Sequence, residues 1–139
     1  MSEKPRHFYR QSAVIPYRIR RGKVEVLLIT SRKRKRWILP KGICEPDLSP
    51  AESAAKEALE EAGVEGRTSE SIVATYEYQK WGGTCTVQVF AMRVEIVHEE
   101  WLESHRLRAW LSPTEAAERV DETALGVLLL GFETNLEPR

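Results

Sequence analysis

Apolar residues near the start of the chain fall into two runs that are separated by a short polar stretch. The first run is centred on residues 13–15, and the second, at residues 24–30, is rich in β-branched side chains. The stretch between them, residues 21–23, has the composition of a turn. This pattern predicts two strands paired through a tight turn, the second of them buried in the middle of a sheet. Pro16 is a candidate for a kink in the first strand.

Further strand signals follow along the chain. Residues 37–39 are a short apolar run, and the proline and glycine of residues 40–42 predict a loop that ends it. Residues 71–79 and 84–97 have a β-rich composition, and the Trp-Gly-Gly sequence at 81–83 predicts a hairpin between them.

The clearest helix signal begins at Ser49. Ser49, Pro50 and Glu52 form a capping box with proline at the first helical position. Small apolar residues then recur at steps of three and four, namely Ala54, Ala55, Ala58, Leu59 and Ala62. Gly63 supplies a left-handed residue at the end. The sequence therefore predicts a helix over residues 50–62 that lies close on a sheet.

The last third of the chain contains a second helix start of the same kind. Residues 108–111 predict a short strand, and a second capping box at Ser112 opens a helix that extends to about residue 120. An apolar helix is expected over about residues 122–134. Because the chain contains no linker or internal repeat, we expect one α/β domain over residues 1–139, with a mixed sheet flanked by helices.

Composition narrows the class of protein. The chain of 139 residues is 42% hydrophobic with no net charge, which excludes disorder. No apolar run approaches the roughly 18 residues of a membrane helix, and the polar first ten residues lack a secretory signal, so we expect a soluble, cytoplasmic protein. Cys44 and Cys85 are far apart in the sequence, which indicates neither a disulfide framework nor a zinc site.

The balanced charge hides an asymmetry. Residues 1–41 hold 13 of the 21 Lys and Arg residues but only 2 of the 21 Asp and Glu residues. A cationic part beside an anionic part can hold a polyanion together with a divalent cation. Two ordinary solvated faces would give the same pattern.

Three carboxylates share one edge of the predicted helix at residues 50–62. Glu57, Glu60 and Glu61 are three and four residues apart, a spacing at which like charges destabilise a helix. A hard cation such as Mg²⁺ would make the cluster stabilising instead, because clustered carboxylates are its usual protein ligands. The alternative is a solvated acidic face, and Lys56 supports it because it can pair with acidic residues four positions away.

Residues 42–64 resemble the signature motif of the Nudix family, the Nudix box. In that motif a glycine, five residues, a glutamate and seven residues precede Arg-Glu-apolar-x-Glu-Glu-x-Gly-apolar. The residues that match at the required spacing are Gly42, Glu57, Ala58, Glu60, Glu61, Gly63 and Val64. The resemblance extends over about residues 9–120 and points to the branch that contains diphosphoinositol polyphosphate phosphohydrolases and dinucleoside polyphosphate hydrolases.

Two positions depart from the motif. Leu48 stands where the box has its first glutamate, and Lys56 stands where it has arginine. Neither position is a usual direct metal ligand, but lysine does not reproduce the planar fork with which arginine orients carboxylates. Glu45 or Asp47, in the same loop, is a candidate to replace part of the missing glutamate's role.

The resemblance implies an α/β/α sandwich and a pyrophosphohydrolase that depends on Mg²⁺, with Mn²⁺ as a substitute. By the same resemblance Glu57 and Glu61 would bind the metal, Glu60 would be a further ligand or the general base, and Gly42 would shape the loop around the phosphates. The substrate would be a small, highly phosphorylated anhydride, either a dinucleoside polyphosphate or a diphosphoinositol polyphosphate. Neither a membrane nor a protein partner is implied, and the oligomeric state is open.

Five successive cations, residues 32–36, precede the strand at 37–39. We expect Arg32 and Arg36 to contact the extra phosphates of the substrate, with Arg10 and Lys41 behind them. A solubilising loop or a surface that attracts nucleic acid is the alternative.

Aromatic residues in the predicted strands offer a second, weaker signal. They are candidates for a platform that stacks on a base, although aromatic strand residues more often belong to a core or to cross-strand pairs. These residues are Tyr76, Tyr78, Trp81 and Phe90.

Two other functions fit the sequence. One is a ligand-binding module of the same fold that has lost turnover, which the departures at Leu48 and Lys56 would explain. The other is an RNA 5′-end pyrophosphohydrolase or an RNA-binding domain that uses the cations at 32–36.

Overall fold

Eight strands form one mixed sheet in the computed structural model, which describes residues 4–136. The strands are β1 (Arg10–Arg20), β2 (Lys23–Thr30), β3 (Trp37–Ile38), β4 (Lys41–Ile43), β5 (Val64–Thr68), β6 (Ala74–Lys80), β7 (Gly83–Val97) and β8 (Arg108–Leu111). The helices are a 3₁₀ turn (Arg6–Tyr9), α1 (Pro50–Glu57), a π-helical turn (Ala58–Ala62), α2 (Pro113–Arg119), α3 (Thr123–Leu130) and α4 (Phe132–Asn135). In the described part of the chain, no helix combines the length and the apolar character that crossing a membrane requires.

A parallel pair, β1 and β7, lies at the centre of the sheet. The order is β3-β2-β1-β7-β5, with β8 beside β2, β4 beside β1 and β6 beside β7. The outer edge of β1 is shared, because β4 pairs with residues 11–13 and β2 pairs with residues 17–20. Pro16 lies between these two pairings and two residues beyond Val14, whose N–H points to this edge. The strand therefore passes through Pro16 without losing a ladder hydrogen bond.

The sheet is covered on both sides, which confirms the predicted arrangement of helices around a mixed sheet. One side, called the α1 face, packs Val14, Leu27, Phe90 and Met92 against the alanines of α1. The other side, called the α3 face, carries α2, α3 and α4. Its strand residues in the core include Ala13, Ile15, Val26, Leu28 and Val89. Ala54, Ala58 and Ala62 are fully buried, so the predicted alanine stripe is the surface by which α1 approaches the sheet closely.

Two tight turns have the geometry that favours hairpins. Arg21 and Gly22 both have positive φ, as do Trp81 and Gly82, which is typical of two-residue turns between paired strands. The hairpin predicted at 81–83 is therefore present, with Gly83 already in β7.

Four local predictions were incomplete. A loop was predicted at residues 40–42, but residues 41 and 42 belong to β4, which pairs with β1 because β1 is long enough to accept β4 and β2 on one edge. The strand β5 was missed, since a short, polar strand carries little hydrophobic periodicity. The last five residues of the predicted helix at 50–62 form the π-helical turn, and the final helix is interrupted at Gly131.

Candidate active site

The start of α1 is fixed by its own side chains. The Ser49 hydroxyl accepts a hydrogen bond from the Glu52 N–H at 3.1 Å, and the Glu52 carboxylate accepts one from the Ser49 N–H at 2.8 Å. This is the predicted capping box. Because the start is fixed, the acidic residues at 57, 60 and 61 lie at the opposite end of the helical segment.

That opposite end widens into the π-helical turn. The Gly63 N–H reaches the carbonyl of Ala58 as well as that of Leu59, and Gly63 has a φ of 66°. Single π-turns occur often at functional sites, where they displace side chains from regular helical positions. Glu60 and Glu61 both lie in this turn.

The loop between β7 and β8 together with the first residue of β8, residues 98–108, holds the end of this turn and is called the clamp loop. The clamp loop donates four hydrogen bonds to successive carbonyls: Glu103 N–H to Glu60, Trp101 Nε1 to Glu61, Arg108 Nη1 to Ala62 and His98 N–H to Gly63, at 2.8–3.0 Å. Helix C-termini leave their last carbonyls without helical partners. The clamp loop satisfies them and thereby fixes the segment that carries the glutamates.

Gly63 is required for two reasons at this junction. Its positive φ disfavours any side chain, and a Cβ there would lie 2.7 Å from Cγ of Trp101. The Trp101 ring also supports the guanidinium of Arg108, which lies 3.8 Å from the ring centroid. The contact of Gly63 with Trp101 therefore packs the clamp loop against the end of the π-helical turn that carries Glu60 and Glu61.

We expect Gly63→Ala to destabilise the protein much more than Gly22→Ala. Both glycines have positive φ, which costs a substituted residue about 1–2 kcal/mol. A Cβ at position 22 meets nothing within 4 Å, whereas a Cβ at position 63 meets Trp101. Urea denaturation of the two variants measures the difference in free energy of unfolding. Equal losses would show that the Trp101 contact contributes nothing.

Glu57 and Glu61 meet beside β4. Glu61 is only 9% exposed, and its Oε1 accepts a hydrogen bond from the Lys41 N–H at 3.2 Å. Gly42 packs directly on the carboxylate of Glu57, since a Cβ at position 42 would overlap that group. Two of the predicted site residues on β4 are therefore brought against two of the predicted ligands.

Burial makes this pair of carboxyl groups hard to ionise. Burial, followed by the negative charge of Glu57, raises the pKa of Glu61 to about 8, although Arg106 and the Lys41 N–H act in the opposite direction. Burial also raises the pKa of Glu57, helped by the charges of Glu60 and Glu103. A hydrogen bond between the two carboxyl groups favours the ionised form of Glu57 and the protonated form of Glu61.

A stability that falls with pH is the expected consequence in the absence of divalent cations. The pKa of Glu61 is higher in the folded protein than its usual value of 4.5, so the folded state binds more protons between these values. The contribution of Glu61 to stability is then fully present below about pH 4.5 and is lost as pH rises towards 8, by up to about 1.4 kcal/mol per pH unit. Urea denaturation in EDTA at several pH values measures this slope.

Glu61→Gln should flatten the slope, whereas Glu118→Gln, a change on the exposed surface of α2, should leave it unchanged. Equal slopes for wild type and Glu61→Gln would contradict the assignment of the raised pKa.

A buried arginine, missed in the sequence, lies behind the two glutamates. Arg106 is 6% exposed, and its guanidinium donates to Oε1 of Glu103 at 2.8 and 3.1 Å and to the Thr30 carbonyl at 3.0 Å. Its Nη2 is 3.8 Å from Oε2 of Glu61. Arg106 thus places a fourth carboxylate, Glu103, near the pair. The sequence did not single out Arg106, because no spacing rule links it to Thr30 and Glu61, which lie more than 40 positions earlier.

The donor set fits a hard divalent cation. Buried carboxylates that resist joint ionisation become compatible when a cation neutralises them, and oxygen ligands suit Mg²⁺. Glu60 is less buried than Glu61, although its charge acts on Glu57. Within residues 4–136, no three acidic, histidine or cysteine side chains already stand in metal-binding geometry. The metal roles of Glu57, Glu60 and Glu61 therefore stay predictions, as does the role of Glu60 as the base.

The predicted cationic contacts divide into two groups. Lys41 Nζ donates to the Tyr78 hydroxyl at 2.9 Å and to Gln11 Oε1 at 3.3 Å. Burial lowers the pKa of Lys41, whereas the charges of Glu122 and Glu61 raise it and the charge of Arg36 lowers it slightly. Arg32 and Arg10 are exposed, and among the described residues neither side chain forms a hydrogen bond or ion pair. Their substrate contacts remain predictions.

The loop with residues 32–36 is itself ordered by specific contacts. Ser31 Oγ accepts from the N–H groups of Lys35 and Arg36 at 3.2 Å. Arg34 has a φ of 57°, and its Nε donates to the His105 carbonyl at 2.8 Å. Arg34, which was not among the predicted contacts, thus connects the cationic loop to the clamp loop.

Lys56 pairs with Glu45, not with Glu52 or Glu60 as its helical spacing allowed. Lys56 Nζ is 2.7 Å from Oε2 of Glu45, and the Glu45 N–H donates to Ser53 Oγ at 3.1 Å. The pair ties the loop that follows Gly42 to α1. Glu45 and Asp47 were the two candidates to replace the glutamate that the motif has at position 48. Of these, Glu45 is the one that contacts Lys56.

Most of the aromatic residues considered for base stacking instead pack in the cores or against neighbouring side chains. Tyr76 and Phe90 are at most 7% exposed and belong to the two cores. Tyr78 supports Lys41, whose Nζ lies 4.6 Å from its ring centroid. Trp81 packs edge-to-face with Phe8 and Tyr9 at the tip of the β6–β7 hairpin.

The fold is an α/β/α sandwich, and its candidate site is a helix end with clustered glutamates beside a strand that contains glycine. Comparison with known families identifies the class of protein that has this combination. The model of the NUDIX domain matches residues 9–129. The chain belongs to the NUDIX domain family, which confirms the resemblance found in the sequence.

Individual relatives agree with this assignment. The chain is 40% identical over 118 residues to Nudix hydrolase 21, chloroplastic, of Arabidopsis thaliana, covering 79% of this chain and 59% of that protein. It is 30% identical over 115 residues to diphosphoinositol polyphosphate phosphohydrolase 3-beta of Bos taurus, covering 81% of this chain and 69% of that protein. The chain spans about three-fifths of the length of the plant relatives that it matches.

A solved structure supports the fold. The crystal structure of C. elegans Ap4A hydrolase superposes with a TM-score of 0.73 at 23% identity, over 92% of this chain and 98% of that chain. At this identity the likeness extends to the fold alone. It confirms the predicted sandwich around a mixed sheet.

Proposed function

We propose that this protein hydrolyses phosphoanhydride bonds with the help of a divalent cation, Mg²⁺ or in its place Mn²⁺. The observation that carries the proposal is the pair formed by the half-buried Glu57 and the buried Glu61, packed against Gly42 and the Lys41 N–H. Burial raises the pKa of both carboxyl groups, and the charge of Glu57 raises the pKa of Glu61 as well. A pair that is this hard to ionise is poorly placed for stability alone, which favours a functional reason for keeping it.

Glu57, Glu60 and Glu61 are the residues that would hold the cation. When bound, the cation would neutralise charge on the anhydride and lower the pKa of a water molecule. Arg106 keeps Glu61 and Glu103 beside each other, and the clamp loop keeps the helix end from shifting. Such fixed positions matter because hydrolysis of an anhydride depends mainly on alignment and charge stabilisation.

Glu60 is the proposed general base. It lies in the π-helical turn next to Glu61 and is the more accessible of the two carboxylates. Its carboxylate would take the proton from the attacking water as the new oxygen–phosphorus bond forms and the anhydride P–O bond breaks. Glu60→Gln should then lower kcat more than it weakens substrate binding.

The proposed substrate is a highly phosphorylated small molecule. Lys41 lies beside the carboxylate pair, and Arg36, Arg32 and Arg10 are exposed and available for further phosphates. Names of the relatives point in the same direction, since one is a diphosphoinositol polyphosphate phosphohydrolase and another is an Ap4A hydrolase. We propose one of these two substrate classes for this chain.

A substrate panel tests the proposal. Phosphate or nucleotide release is measured for dinucleoside polyphosphates, diphosphoinositol polyphosphates and triphosphate-capped RNA, each with Mg²⁺ and with EDTA. Release from one of the small substrates in Mg²⁺ alone supports the proposal. Tight binding without release from any substrate would favour a binding module, and release from RNA alone would favour the RNA-directed function.

A further inference from the structure

A second group of cations lies on the α3 face of the sheet. Arg93 of β7 is directly opposite Tyr17 of β1 on one side and Arg67 of β5 on the other. Residues directly opposite in neighbouring strands project to the same face, so these three form a row across the sheet. The face is identified by Tyr17, whose ring packs against Phe132 of α4 at 5.5 Å between centroids.

The close approach of β5 sets this alignment. The pairing of β5 with β7 changes register between Glu65 and Gly66, and a Cβ at Gly66 would collide with the Arg93 carbonyl. Glycine at position 66 therefore allows β5 to approach β7 where the register resumes. Arg67, the next residue, is thereby placed opposite Arg93.

The row lines a cleft of about 770 Å³. This volume lies within the range of sites for small molecules. The loop after β5 forms one wall, in which the Ser69 hydroxyl is fixed by a bond to the Ser71 carbonyl and by one from the Ala91 N–H. The cleft is therefore bounded by an ordered loop and by the two arginines.

The two arginines have no acidic partner in the described part of the chain. Neither guanidinium forms an ion pair or a hydrogen bond there, and Glu70, the one carboxylate among the described residues that line the cleft, is in an ion pair with neither. Like charges directly opposite each other destabilise a sheet. An anion shared by both would convert this repulsion into attraction.

We propose that Arg67 and Arg93 bind the phosphate group of a small phosphorylated molecule in this cleft. Guanidinium groups offer paired donors that match phosphate oxygens, and two of them on adjacent strands can contact one group from both sides. The site lies on the α3 face, whereas α1 and its glutamates pack on the α1 face. It is separate from the proposed hydrolytic site and does not depend on it.

Inorganic pyrophosphate in EDTA is the probe, because without divalent cations it has little reason to occupy the glutamate site. The midpoint of thermal unfolding of the wild type should rise by about 3–5 °C at ten times the dissociation constant. The rise should persist in Arg20→Gln, a matched control at an exposed strand arginine outside the cleft, and should vanish in the double variant Arg67→Gln/Arg93→Gln.

Two further measurements keep the test decisive. Arg93→Gln alone should unfold at the same or a higher temperature than the wild type without pyrophosphate, since it removes a like-charge contact. Backbone amide NMR signals of residues 66–69 and 91–94 should shift during titration of the wild type. No shift there, or a shift that survives in the double variant, would overturn the proposal, whatever the outcome of the hydrolysis assays.

Discussion

Replacing Glu57 and Glu61 together by glutamine is expected to lower kcat/KM for phosphoanhydride hydrolysis by a factor on the order of 10²–10⁴. Glutamine keeps the size of each side chain but removes the charge that would hold a divalent cation. Hydrolysis of the best substrate from the panel, measured in Mg²⁺, gives the effect.

Stability provides an internal control for this double variant. Burial raises the pKa of both carboxyl groups, so keeping them ionised at pH 8 costs free energy in the folded state. Replacing both by glutamine should therefore leave the free energy of unfolding at pH 8 in EDTA unchanged or higher. Glu118→Gln should change neither quantity. An inactive variant that is also unfolded would be uninformative, so Glu61→Gln alone is measured in parallel. Full activity in both variants would show that these carboxylates have no part in the reaction.

Arg106→Met is expected to lower the free energy of unfolding by about 3–5 kcal/mol, as is typical when one partner of a buried ion pair is removed. The substitution removes both hydrogen bonds to Oε1 of Glu103 and leaves the Thr30 carbonyl without its donor. It also removes the charge that lowers the pKa of Glu61, so this pKa should rise further. Urea denaturation at pH 7 measures the loss.

Arg18→Met is the matched control for this change. Arg18 also pairs with a glutamate, Glu25, at 2.7 Å, but both side chains are about 30% exposed. Exposed pairs contribute about 0–1 kcal/mol, and the contact of Arg18 with the Trp110 ring adds a similar amount. The loss for Arg18→Met should therefore be well below that for Arg106→Met. Similar losses would contradict the view that Arg106 organises the site.

Local signals in the sequence predicted most of the framework. The capping boxes at Ser49 and Ser112 define helix starts because their hydrogen bonds involve residues only three apart. The hairpins at Gly22 and Gly82 and the alanine stripe of α1 are likewise local properties. These features therefore agree with the structure.

Features that depend on distant contacts could not be predicted in this way. The π-helical turn is stabilised by the clamp loop, about 40 residues later, and alanine spacing is equally compatible with a regular helix. Likewise, β4 forms because β1 extends past β2, which no property of residues 41–43 indicates. Tertiary contacts decide such elements, not propensity.

The candidate site shows the same division. The motif identified Gly42, Glu57 and Glu61, and the structure brings these residues together. Arg106 and Glu103 became visible only with the fold, since their partners lie far away in the sequence.

The departure at Lys56 illustrates how such a change can be accommodated. Glu45 reaches Lys56 from the loop, so an ion pair between loop and helix exists although Leu48 and Lys56 differ from the family motif. The pair is exposed, so we expect its contribution to stability to be small.

Anomalous diffraction from crystals soaked in Mn²⁺ together with a non-hydrolysable phosphoanhydride tests the central claim most directly. The account predicts an anomalous peak about 2.0–2.5 Å from carboxylate oxygens of Glu57 and Glu61, adjacent to phosphate oxygens of the ligand. A peak bound elsewhere on the protein, or a phosphoanhydride seated away from these two side chains, would contradict it.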